Sequence, residues 1–102
     1  MKSAKKEITI PNIAAALRNV FDPEVGFNIV DMGLIYGLEI EEKSVKIKLT
    51  YSSPACPLGE VIEQDIRTQL NQFFGVTEIQ LHIVFDPQWK PAMMSQVAKD
   101  FM

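Results

Sequence analysis

The sequence predicts an α+β fold, a two-layer domain in the order α-β-β-α-β-α with a small three-stranded sheet and its helices on one face. Three observations lead there. Apolar residues recur at helical spacing in three stretches, apolar and polar residues alternate in "VKIKLTY" (45–51) and "TEIQLHIVF" (77–85), and "EEKS" (41–44) has the composition of a tight turn between two strand-like runs. At 102 residues and 47% hydrophobic, the chain has material for one core and little for a second. Residues 1–8 are polar and expected to form a disordered N-terminal tail, leaving residues 9–102 as a single domain.

The stretch "TIPNIAAALRNVF" (9–21) places Ile13, Leu17, Val20 and Phe21 on one helical face, with Thr9 as N-cap and Pro11 in the first turn. Asp22-Pro23 ends that helix, because proline disfavours helical geometry in the residue before it, and "EVGFNIVDMG" (24–33) follows as a structured loop. The runs at 34–40 and 45–51 read as a hairpin whose second strand sets Val45, Ile47, Leu49 and Tyr51 against Lys46, Lys48 and Thr50. From about residue 57 to residue 74 a second helix carries Leu58, Val61, Ile62, Ile66, Leu70 and Phe73 on its apolar stripe and stops at Gly75. The strand at 77–85 puts Ile79, Leu81, Ile83 and Phe85 on one side, and "DPQWKP" breaks it. A last helix at about 92–101 offers Met94, Val97, Ala98 and Phe101.

Connectivity then predicts a meeting place. The hairpin turn lies at one end of the sheet, so "VDMG" and "SSPACP" share the other end. The helix between the second and third strands runs back along the sheet, which brings "DPQW" to that same end, and "DPE" (22–24) feeds the loop that opens the first strand. Four loops are expected to converge on Cys56.

Cys56 is the only cysteine, so an internal disulfide and a multi-cysteine metal site within one chain are both excluded. It falls at or beside the start of the second helix, with Pro57 at the favoured first position, where unpaired N–H groups and the helix dipole favour a thiolate. Four acids, Asp22, Glu24, Asp31 and Asp86, would oppose thiolate formation if they lie close. A buried, inert thiol is the alternative that position alone leaves open. A cysteine hydrolase needs a base in reach, and the single histidine, His82, sits mid-strand about 13 Å from the converging end on the side opposite the apolar set. Taken singly, Asp22, Asp31, Thr50, Asp86 and Trp89 also have ordinary structural readings as turn formers, backbone partners or a core cap.

The formal charge of -3 offers no basic footprint, so nucleic acid is not expected as a partner. No apolar run has the length of a membrane span and "MKSAKKEITIP" lacks an apolar signal segment, which makes a cytoplasmic protein without membrane contact the expectation.

"DPE" (22–24), "NIVDMGLIY" (28–36), "LTYSSPACPL" (49–58), "DPQW" (86–89) and "PAMMS" (91–95) together resemble, in that order, the SufT/PaaD-like family of iron-sulfur cluster assembly domains, which includes the eukaryotic cytosolic iron-sulfur targeting factor. The resemblance runs from about residue 9 to the end of the chain. It implies that Cys56 corresponds to the motif cysteine on which cluster or metal handling depends. Asp22, Glu24, Asp31, Thr50, Ser52 and Pro57 would shape that site, and Asp86, Trp89, Met93 and Met94 would contact partners. It also implies an assembly factor rather than a turnover enzyme, with the iron-sulfur assembly machinery and client apo-proteins as partners. A transient iron-sulfur cluster or iron is the expected cargo, and one thiolate per monomer argues against tight holding, since a cluster commonly takes four. A homodimer would raise the number to two. A metal-free adaptor is the alternative reading, its adaptable methionines and tryptophan binding clients directly. An autonomous thiol enzyme is a third reading, and it lacks a base.

Overall fold

The computed structural model describes residues 6–52 and 59–101; Cys56, Pro57, Leu58 and tail residues 1–5 lie outside the described residues, as does the side chain of Phe101. The chain order is α1 (Ile10–Leu17), β1 (Phe21–Asp22), β2 (Phe27–Asn28), β3 (Ile35–Glu41), β4 (Ser44–Leu49), α2 (Gly59–Phe74), β5 (Glu78–Ile83), a 3-10 turn (Pro91–Met93) and α3 (Gln96–Phe101). The main sheet has the order β3-β4-β5, antiparallel in its first pair and parallel in its second. The α+β class and the helix–strand order read from sequence are those observed, with β1 and β2 as an additional small ribbon.

Each element follows from local chemistry. Thr9 caps α1, its hydroxyl accepting the Asn12 N–H at 3.2 Å, and Pro11 occupies the first turn. Val45, Ile47 and Leu49 of β4 are fully buried while Lys46 and Lys48 are exposed, so the central strand has one apolar and one wet face. Ile62, Ile66, Leu70 and Phe74 of α2 and Ile13, Ala16 and Leu17 of α1 complete the core against the apolar face. Packing begins ahead of Thr9: the Lys6 N–H bonds to Phe73 O at 2.9 Å, and Ile8 is packed against the core. Among the described residues no helix is long and apolar enough to cross a membrane.

Several side chains sit elsewhere than the periodicity suggests. Phe21 is 49% exposed in β1, because α1 closes at Leu17 and the chain turns before it reaches Phe21. Val61 and Phe73 are exposed: the buried stripe of α2 follows the four-residue spacing 62–66–70–74, and its immediate chain neighbours rotate by about 100° away from it. β5 ends at Ile83, and Phe85 beyond it is exposed. The final helix starts only at Gln96, where the Ser95 hydroxyl accepts the Ala98 N–H at 3.3 Å; this turns Ala98 inward and leaves Val97 at 64% exposure.

Two glycines with left-handed backbone test how tightly the loops are held. Gly26 (φ +82) has open space where a Cβ would go, whereas a Cβ on Gly33 (φ +79) would lie 2.4 Å from Met93 O. Gly26→Ala is expected to cost about 1–2 kcal/mol, the left-handed penalty alone. Gly33→Ala must also displace the Met93 backbone, so urea denaturation should show a clearly larger loss; equal losses would mean that this close approach is not a fixed feature of the fold.

Candidate functional site

The end of the sheet opposite the β3–β4 turn is where the site is built. Ile35 pairs with Leu49, the Thr50 N–H bonds to Leu34 O at 2.9 Å, Leu49 pairs with Ile83 and the Val84 N–H bonds to Leu49 O at 2.9 Å. The start of β3 and the ends of β4 and β5 are therefore held side by side, and Tyr51 and Ser52 leave this point toward the segment that carries Cys56.

Asp22 comes to the same place from the β1–β2 ribbon, where Phe21 pairs with Asn28 and Asp22 with Phe27. Its side chain is fully buried. One carboxylate oxygen accepts the Glu24 N–H at 2.9 Å, fixing the DPE turn, and the other accepts the Ser52 hydroxyl at 3.4 Å. Glu24 contributes its backbone to that turn and leaves its side chain exposed.

The VDMG loop is secured from two directions. Asn28 and Asp31 bond reciprocally, Nδ2 to Oδ2 and Asp31 N–H to Asn28 Oδ1, both at 2.8 Å. The Ser95 N–H reaches Asp31 O at 2.7 Å, and Arg18 lies 3.7 Å from the Asp31 carboxylate. On the other side the Trp89 indole N–H donates to Met32 O at 2.7 Å, which joins DPQW to VDMG. A bulge between Ile35 and Gly37 makes Tyr36 the extra residue of β3, and its hydroxyl bonds to Pro87 O at 2.8 Å.

Tyr51 packs over the first turn of α2. A Cβ on Gly59 would lie 2.6 Å from the Tyr51 ring, the Tyr51 hydroxyl donates to Glu63, and Phe85 meets the ring edge-on at 6.2 Å between centroids. Thr50 is different. It is fully buried and, among the described residues, its hydroxyl has no hydrogen-bond partner, an arrangement that costs about 1–3 kcal/mol when nothing compensates it.

Of the residues selected from sequence, Asp22 and Ser52 are in contact, Thr50 lies two residues from Ser52, and Asp31 and Trp89 fasten the adjoining loop. Asp86 and Met93 are exposed, whereas Met94 is buried, so the outward member of the methionine pair is Met93. His82 lies on the open sheet face in register with Lys48. Asn28, Tyr36, Tyr51, Glu63 and Ser95 were not picked out by sequence reasoning. Asn28 and Asp31 at a three-residue spacing, and a serine three residues before a buried alanine, are the local signals that point to two of them. Among the described residues no group of three or more His, Cys, Asp and Glu side chains could hold a metal ion.

Fold and site define a two-layer α+β domain that gathers its distinctive loops at one sheet end. Residues 11–81 match the family described as "Iron-sulfur cluster assembly protein", and the chain belongs to that family. It is 37% identical over 100 residues to the "Fe-S protein maturation auxiliary factor YitW" of Bacillus subtilis (strain 168), covering 97% of this chain and 94% of the relative. To the "Fe-S protein maturation auxiliary factor" of Porphyromonas gingivalis it is 34% identical over 91 residues, 88% of this chain and 87% of the relative. The crystal structure of "Domain of Unknown Function DUF59 from Bacillus anthracis" superposes with a TM-score of 0.86 at 33% identity, covering 89% of this chain and 88% of that one.

Asp31 gives this end of the molecule a pH dependence. The hydrogen bond from Asn28 is the main cause that holds its carboxyl below the usual carboxylate range, the Ser95 hydrogen bond and the Arg18 charge add to it, and burial opposes them. The folded pKa being the lower one, the contribution to stability is present above the unfolded carboxylate pKa and disappears as pH falls through the folded value. Asn28→Ala is expected to move the Asp31 titration upward in carboxyl-detected NMR, and Asp31→Asn to lose stability near neutral pH but not in acid. An unmoved Asp31 titration in Asn28→Ala would assign the lowering to other groups.

Proposed function

We propose that this protein serves the maturation of iron-sulfur proteins, and that it does so by holding iron or a cluster transiently through Cys56 between the assembly machinery and client apo-proteins. The relatives that match nearly its whole length carry the name of maturation factors, which supports the general role. The observation that carries the site is the joining of Asp22, Ser52, Thr50, the VDMG loop and the DPQW loop at the sheet end from which the Cys56 segment departs. The resemblance over "SSPACP" supports a ligand role for Cys56, which Pro57 follows in the sequence. Asp22, Glu24, Asp31, Thr50 and Ser52 then shape the surroundings.

One thiolate is too few for a resident cluster. The remaining ligands come from a second chain or from the client, so the hold is shared and brief. Reconstitution of the purified protein under anaerobic conditions with iron and sulfide, beside Cys56→Ala, is expected to give iron and visible absorbance in wild type and neither in the variant. Iron binding that survives Cys56→Ala, or absence of binding while an authentic carrier loads alongside, would overturn the carrier role.

A second reading, a metal-free adaptor, draws on the apolar side chains left exposed near this end: Met93 at 37%, Phe85 at 44% and Phe21 at 49%. Trp89 and Asp86 belong to the same segment. If that reading holds, association with a client survives Cys56→Ala and is weakened at least tenfold by the pair Phe85→Ser and Met93→Asp, as binding isotherms would measure; the carrier reading expects the opposite order of effects.

A further inference from the structure

The main sheet has two outer edges, and they are finished differently. Leu49 O accepts the Val84 N–H, so Val45, Ile47 and Leu49 of β4 turn their backbone groups to β5, and Ser44, Lys46 and Lys48 turn theirs to β3. Their partners Glu41, Glu39 and Gly37 are thereby engaged, and the N–H and C=O groups of Leu38 and Ile40 between them point out of the sheet. On the far side, β5 directs Ile79 outward, and the Arg67 guanidinium from α2 donates to Ile79 O at 3.1 Å. Among the described residues no strand pairs with the outer side of β3 and no hydrogen bond covers Leu38 or Ile40. Their side chains pack against the core, which holds the edge straight from Gly37 to Glu41.

The side chains beside this edge select what can join it. Glu39 and Glu41 are exposed on the open face and make no ion pair among the described residues. A second copy is disfavoured: the self-pairing that uses all the outward groups sets Leu38 opposite Ile40 of the copy, and it places Glu39 directly against its own counterpart. An added strand lies about 5 Å from β3, whereas Lys46, opposite Glu39 on β4, is then about 10 Å away, so the two glutamates are the nearer charges. We propose that the outer edge of β3 is a docking surface for an extended segment of a partner protein in which Lys or Arg alternates with apolar residues. Its backbone completes Leu38 and Ile40, its basic side chains meet Glu39 and Glu41, and its apolar ones continue the Leu38–Ile40 side. This surface stands apart from the Cys56 segment and does not depend on the carrier reading.

The probe is an end-blocked peptide of alternating valine and lysine with the seven-residue length of β3. Two further peptides carry N-methyl groups on every valine or on every lysine, and a fourth has glutamate for lysine. An added strand uses one set of its N–H groups only, so one methylated peptide should bind like the parent and the other at least about tenfold more weakly. Losing binding with both, or with neither, would overturn the proposal. The glutamate peptide, and the parent peptide on Glu39→Lys/Glu41→Lys, should each bind at least about tenfold more weakly; equal binding in either case removes the charge selection and the proposed partner with it. In wild type, NMR-detected amide exchange should slow at least about tenfold at Leu38 and Ile40 when the parent peptide is added, and stay unchanged at Leu81 and Ile83. Slowing only at Leu81 and Ile83 would place the surface on β5. Protection of Leu38 and Ile40 that rises with protein concentration without peptide, together with a dimer in sedimentation, would make a second copy the occupant and overturn the proposed partner.

Discussion

The double pairing of β4 is the constraint on which the rest depends. An antiparallel partner on one side and a parallel partner on the other force the start of β3, the end of β4 and the end of β5 to one edge of a narrow sheet. The parallel pair in turn needs a crossover, and α2 supplies it. With Val45, Ile47 and Leu49 fully buried, a one-residue slip of β4 would turn three apolar side chains to water and two lysines into the core, so the register is strongly specified. The meeting of loops is thus a consequence of core packing, and no loop has to find the others by itself.

What the core brings near, polar bonds make definite. Trp89 to Met32 and Tyr36 to Pro87 connect segments more than fifty residues apart, with separations of 57 and 51. Asp31 receives Asn28 through its side chain and Ser95 through its carbonyl, fastening α3 to the VDMG loop. The Gly33–Met93 approach places two backbones at a distance that a β-carbon would prevent. These contacts leave Asp86, Met93 and Phe85 on the outside and Asp22 and Thr50 within. An outward rim and a buried polar floor therefore belong to one end of the molecule.

The larger architecture was legible because period and punctuation agree. Thr9, Pro11 and the alternation through Val45, Ile47 and Leu49 each state their element without help from the rest of the chain, and hairpin-plus-crossover logic then locates the converging end. The exposure of Phe21, Val61, Phe73 and Val97 was not legible, because helical periodicity identifies a face but not how much of it a narrow sheet and a short helix can cover. The β1–β2 ribbon, two residues in each strand, is too short to leave a period. For the site, motif residues could be chosen by type and place, whereas Tyr51–Glu63 and Tyr36–Pro87 depend on tertiary proximity that no local spacing encodes. Met94 looked like half of an adaptable surface pair, yet alternation at the turn before α3 sends it into the core and Met93 to the rim.

Under the carrier reading, scarcity of ligands and rigidity of surroundings act together. A site with a full set of thiolates would keep a cluster, and release would then require several metal–sulfur bonds to break. One thiolate supplies one bond, so the exchange with a client is decided by whatever else contacts the cargo. Buried polar groups at this end, Asp22 and Thr50 among them, shape the surroundings without adding a metal bond. Selectivity can then reside in the floor of the site while release stays fast, and the outward rim of Phe85, Asp86 and Met93 is left free to choose the protein that receives the cargo.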